Sequence, residues 1–159
     1  DEPLRVAYEY LKNGHSIAIF PEGTLTRDPD MWPMRGRSGA VRLAIETGVP
    51  VIPMAHWGSH HILPRYGSKF RPGFWKRVDV TIGDPINLDK YRHPQLSPSD
   101  LAEATDVVMD AITGLVAELR GEQPPAQRWD PAKHGQTHTG NYVKAEKAKA
   151  KSTAKGKGA

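Results

Sequence analysis

Two apolar runs of strand length, residues 16–20 and 49–55, stand on either side of one segment with helical spacing, and few folds accommodate that order. Residues 16–20 carry few polar side chains and end at Pro21, the pattern of a strand buried on both faces of an α/β sheet. Residues 49–55 repeat the pattern, interrupted by Pro50 and Pro53. Between them Ala40, Leu43, Ala44 and Thr47 line one face of a helix that stops at Gly48. Ahead of the first run, Leu4, Ala7, Tyr8 and Leu11 mark another helix, closed by Asn13 and Gly14.

Further on, residues 77–83 alternate, with Val78, Val80 and Ile82 on one side and Asp79 and Thr81 on the other, a strand with one wetter face. Ser97, Pro98, Ser99 and Asp100 open a long helix whose stripe is Leu101, Ala104, Val108, Ile112, Leu115 and Leu119, ending at Gly121. The fold class is therefore α/β: a partial sheet with flanking helices, then a disordered basic C-terminal tail. Residues 1–125 read as the domain, 126–142 as an extended linker and 143–159 as the disordered Lys-rich tail. Three strands are few for this class, and the chain opens on Asp1 without an initiator methionine. The expectation is that further strands lie upstream.

The 159 residues suffice for one domain with a hydrophobic core. The absence of cysteine excludes disulfides, zinc-thiolate sites and thiol nucleophiles, and it fits a reducing compartment. No stretch approaches the roughly 20 apolar residues of a spanning helix. The net charge of +4 is localised: residues 143–159 hold six Lys and one Glu, while the rest is close to neutral.

The chemistry concentrates between residues 19 and 54. The first run delivers Phe20, Pro21, Glu22, Gly23 and Thr24, a Gly-containing turn with one carboxylate and one hydroxyl. Arg35, Gly36, Arg37, Ser38 and Gly39 follow at a helix start, where free N–H groups and the dipole favour anions. Arginine's planar fork matches phosphate oxygens. The spacing points to a site for a phosphorylated small molecule, with Glu22 orienting a cation or a hydroxyl. Taken alone, Glu22 and Thr24 would read as turn caps, and the arginines as a solvated loop.

These segments resemble the lysophosphatidic acid acyltransferase family, the 1-acylglycerol-3-phosphate acyltransferases. Their Phe-Pro-Glu-Gly-Thr-Arg block matches at residues 20–24, their Lys-x-Gly element at Arg37, Ser38 and Gly39, and their Val-Pro-Val-x-Pro strand at residues 49–53. The similarity extends through Gly83, Asp84, Pro85 and Ile86 to Gly121. The resemblance implies acyl transfer, in phospholipid synthesis, from acyl-CoA or acyl-carrier protein as co-substrate to a lysophosphatidic-acid-like acceptor. It implies no other cofactor and no metal. The substrate-binding residues it implies are Glu22, Gly23, Thr24, Arg27, Arg35 and Arg37. The expected location is peripheral, on the cytoplasmic face of a membrane, with an anionic membrane surface as partner. Each Lys near such a surface adds about 1 kcal/mol. No nucleic acid partner is expected.

Two departures qualify the match. Leu25 stands where the family carries Arg, leaving the phosphate to Arg27, or to Arg35 and Arg37, or more weakly held. The family's general base is the His of a His-x4-Asp dyad. None of the seven His here (residues 15, 56, 60, 61, 93, 134 and 138) has Asp five positions on. This chain by itself is thus expected to be inactive, with a non-catalytic lipid-phosphate binding module or decayed paralogue as the alternative. His56, His60 and His61 form a dense ionisable cluster, and His56 and His60 at i, i+4 could ligate a metal if helical, but Gly58 and the preceding strand argue for a loop. Trp57, Phe70, Phe74 and Trp75 either pack against the sheet or touch lipid; core or loop anchoring is the expectation, although Lys69-Phe70-Arg71 and Phe74-Trp75-Lys76-Arg77 mix rings and cations as interfacial segments do.

Overall fold

The computed structural model describes residues 2–67, 69–71 and 73–136, so the expected disordered tail lies outside the described residues. The elements run α1 (Glu2–Lys12), α2 (Gly39–Thr47), β1 (Met54–Trp57), a short α3 (Ser59–Ile62), β2 (Asp79–Ile82) and α4 (Pro98–Arg120). Single 3-10 turns occupy Asp89–Tyr91 and Pro131–His134.

Helix α4 organises the rest. Its start is a full capping box: the Ser97 hydroxyl accepts from the Asp100 N–H at 3.1 Å while the Asp100 carboxylate accepts from the Ser97 N–H at 2.8 Å. Gly121, left-handed at φ 65°, closes the other end. Its buried face is wider than the expected stripe, taking in Thr105, Met109, Thr113 and Val116 beside Ala104 and Val108. Thr105 and Thr113 are tolerated there because each hydroxyl donates to a carbonyl one turn back, at 2.6 Å in both cases.

One cluster joins Val41 and Ala44 of α2 to Leu88, Tyr91, Ala104 and Val108. A second joins Trp32, Ala55 and Val116. The half-buried side of α1, with Leu4, Ala7 and Tyr8, lies along α2.

The sheet departs from expectation. Strands β1 and β2 pair antiparallel, Met54 opposite Ile82 and Trp57 opposite Asp79, and a single bridge joins Val51 to Ile86. The expected strand over residues 16–20 does not form and is exposed, Phe20 at 75 %. A strand needs a ladder partner, and among the described residues the only ladder is that of β1 with β2. The strand expected over 49–55 is likewise shortened, its ladder opening only after Pro53. The face of β2 is reversed: Val80 and Ile82 are exposed, whereas Asp79 and Thr81 are half-buried on the side of Ala55 and α4. Alternation names two faces and does not say which one a helix covers.

Residues 126–136 also differ from an extended linker. Arg128 pairs with Asp106 at 2.7 Å and with Asp110, Trp129 stacks on His134 at 3.6 Å, and Pro131 is buried. They form a strap folded back along α4.

Candidate functional site

The loop between residues 20 and 38 reads as polar surface, yet much of it is interior. Arg27, Asp28, Trp32 and Met34 are all buried, Arg27 at 1 % exposure. The loop closes on itself. The Thr26 hydroxyl donates to the Trp32 carbonyl at 2.6 Å, and the Asp28 carboxylate accepts from the Asp30 N–H at 2.8 Å. From across the fold Arg65 donates to the carbonyls of Thr26 (3.0 Å) and Asp28, and the Tyr66 hydroxyl to that of Leu25 at 3.1 Å.

On the outside of this loop sits the Phe-Pro-Glu-Gly turn. The Gly23 N–H donates to the Phe20 carbonyl at 2.9 Å, and Gly23 adopts φ 67°. The Arg37 N–H donates to the Pro21 carbonyl at 2.8 Å, which lays residues 35–37 beside the turn. The Arg37 guanidinium then passes over Gly23, where a Cβ would stand 3.6 Å from Nε. On the other side Gly36 lies against α4, and a Cβ there would meet Met109 side-chain atoms at 2.8 Å. Only glycine lets the segment approach so closely.

Glu22 is the one strongly perturbed acid in the loop. Burial raises its carboxyl to about 7, against a hydrogen bond from the Met34 backbone and with added repulsion from Asp28. Its Oε2 is buried without a hydrogen-bond partner among the described residues.

The structure thus brings Glu22, Gly23 and Arg37 together, with Thr24 half-buried next to them. It sets Arg35 and Arg27 apart. The Arg35 N–H donates to the Trp129 carbonyl at 2.9 Å, and its guanidinium meets the Asp130 carboxylate at 3.2 Å. Burial pushes Asp130 up, but the Ala132 N–H and Arg35 outweigh it and hold the group below the usual carboxylate range. Arg27 points its charge into the fold, away from any ligand on the turn's outer surface.

Sequence reasoning missed Arg65, Tyr66, Arg120 and Asp130. Arg120 lies between two indoles, 4.0 Å from the Trp32 ring and 4.5 Å from that of Trp57, and donates to the Asp30 carbonyl at 2.7 Å. These partners are far apart in the chain, and no local pattern announces them. Trp57 anchors its loop as expected, while Phe70, Phe74 and Trp75 are exposed instead. His60 and His61 fall on the short α3, their rings tilted at 48° with centroids 4.0 Å apart. Burial, then His61 and Arg120, lower the His60 pKa. Among the described residues no three His, Asp or Glu side chains gather as metal ligands would.

The acyltransferase family model matches residues 2–57, which span the turn, both exposed arginines and the Val-Pro-Val-x-Pro segment. The solved 1-acyl-sn-glycerophosphate acyltransferase PlsC of Thermotoga maritima superposes over 77 % of this chain with a TM-score of 0.55 at 31 % identity. Residues 2–57 are an acyltransferase-family segment, and the chain resembles the glycerophospholipid acyltransferases. A 1-acyl-sn-glycerol-3-phosphate acyltransferase of Pseudomonas aeruginosa is 28 % identical over 124 residues, 78 % of this chain. A chloroplastic one of Brassica napus is 39 % identical over 61 residues, 38 % of this chain. The chain spans 44 % and 17 % of those two proteins and 46 % of the Thermotoga chain. What aligns with this acyltransferase family is thus the turn, its arginines and the elements around α4.

Proposed function

We propose that this chain supplies the acceptor-phosphate part of an acyltransferase site, which transfers an acyl group to a lysophosphatidic-acid-like acceptor. The observation that carries the reading is the exposed Arg37 guanidinium over Gly23, beside a half-buried Glu22 whose Oε2 is enclosed. The acceptor phosphate rests on Arg37, whose planar fork takes two oxygens and whose position the turn fixes. Gly23 and Thr24 shape the floor, and Glu22 serves the acceptor's glycerol hydroxyl. Arg35 joins when Asp130 releases it, while Arg27 acts from within by holding the loop.

Acyl-CoA or acyl-carrier protein is the proposed donor. The His-x4-Asp general base comes from residues other than these 159, so that this chain alone binds the acceptor without turning it over. The cytoplasmic membrane face is the proposed location, supported by the lipid substrates in the relatives' names and by the six Lys of residues 143–159.

The test is to incubate the chain with labelled lysophosphatidic acid and each acyl donor. The expected result is saturable binding of the acceptor and no phosphatidic acid formed. Turnover by the chain alone would overturn the outside general base. No binding would overturn the phosphate site.

A further inference from the structure

Three large aromatic side chains left in water lie close along the chain, well away in sequence from the Glu22 turn. Phe74 is 102 % exposed, Trp75 97 % and Phe70 65 %. Cations alternate with them: Lys69, Arg71, Lys76 and Arg77, with no acidic residue between positions 69 and 77. The base of this segment is fastened. The Arg71 N–H donates to the Ile62 carbonyl at 2.8 Å, and the Lys76 ammonium donates to the His61 carbonyl at 2.8 Å and to the Arg71 carbonyl. Arg77 is braced by Asp79 at 2.5 Å. An open groove between α3 and this base is lined by His60, His61, Arg71, Lys76 and Arg77, with Trp75 at its edge.

Adjacent rings held out from a fastened base are costly in water and mark a contact surface. The chemistry around them selects the partner. Trp favours the membrane–water boundary, and cations at the level of the rings match anionic headgroups. We propose that residues 69–71 and 73–77 dock on an anionic bilayer, Phe74 and Trp75 reaching the boundary between headgroups and acyl chains while Arg71, Lys76 and Arg77 hold lipid phosphate in the groove. This surface is distinct from the Lys-rich tail and independent of the acceptor site.

The full chain can be tested with phosphatidylcholine vesicles carrying brominated acyl chains, with and without phosphatidylglycerol. Bromine quenches only tryptophans that reach the acyl region. Of the four Trp, Trp32 is buried, Trp57 is packed on Arg120 and Trp129 is stacked on His134, which leaves Trp75 free to enter. Adsorption through the tail, which has no Trp, does not mimic the signal. Quenching should require phosphatidylglycerol, collapse in Trp75→Phe, and need about fivefold more lipid in Arg71→Gln. Phe74→Ser should weaken it with the fold intact, since that ring touches solvent on all sides. Undiminished quenching in Trp75→Phe, or equal quenching by pure phosphatidylcholine, would overturn the proposal. So would self-association relieved by Phe74→Ser without quenching, or binding of soluble glycerol phosphate alone. Because quenching needs no acceptor, its failure leaves the acceptor-site reading standing.

Discussion

The Arg37 guanidinium lies across the backbone of Gly23, its Nε 3.6 Å from where a Cβ would stand, and so the turn and the cation form one unit. The methyl of Gly23→Ala would find ordinary contact distance there, but φ 67° is left-handed and costs an L residue roughly 1–2 kcal/mol. Gly23→Asn should lose less, since Asn tolerates that region. Urea unfolding of the two variants should rank stability as Gly, then Asn, then Ala.

Glu22 sets a pH dependence. Its folded carboxyl, near 7, lies above the unfolded value, so its contribution is fully present at low pH and is lost as pH rises through about 7. Glu22→Gln removes that dependence. Between pH 5 and pH 8.5 the wild type should lose on the order of 2–3 kcal/mol relative to the variant. Parallel stability curves would show that the carboxylate is better solvated than its burial indicates.

Arg120 ties the loop to the sheet through Trp32 and Trp57. Arg120→Ala removes two cation–π contacts and the bond to the Asp30 carbonyl, for a loss of about 2–4 kcal/mol. Lys keeps the charge without the planar stack and should fall between. Thermal unfolding measures the loss, and the indole emission should shift to the red.

Asp130 pairs with Arg35, and on the proposed reading it competes there with the acceptor phosphate. Arg35 is 64 % exposed, so Asp130→Asn should change stability by less than about 1 kcal/mol. Affinity for a soluble short-chain lysophosphatidic acid should rise about two- to fivefold at low salt and less at high salt. An unchanged affinity would assign Arg35 to holding the strap.

Local chemistry was legible in the sequence where it was self-contained. Helix α2 ends at Gly48 and α4 starts at Ser97 because each boundary is decided by residues within one turn. The Phe-Pro-Glu-Gly-Thr block was legible as a turn for the same reason. What was not legible depends on distant partners. Arg27 and Arg37 look alike in sequence, yet Arg27 is buried in a loop that Arg65 and Tyr66 close from 39 and 41 residues away. The alternation of residues 77–83 was visible, but which side meets α4 follows from Ala55 and Val116 packing together.

The most direct measurement is the calorimetric affinity of soluble short-chain lysophosphatidic acid for the wild type and for Arg37→Gln, with the matching monoacylglycerol as control. Losing a charge-assisted contact should weaken the phosphate ligand by about 10- to 100-fold, with no binding of the monoacylglycerol to either protein. Equal affinity of both proteins for lysophosphatidic acid would contradict a phosphate site at Arg37.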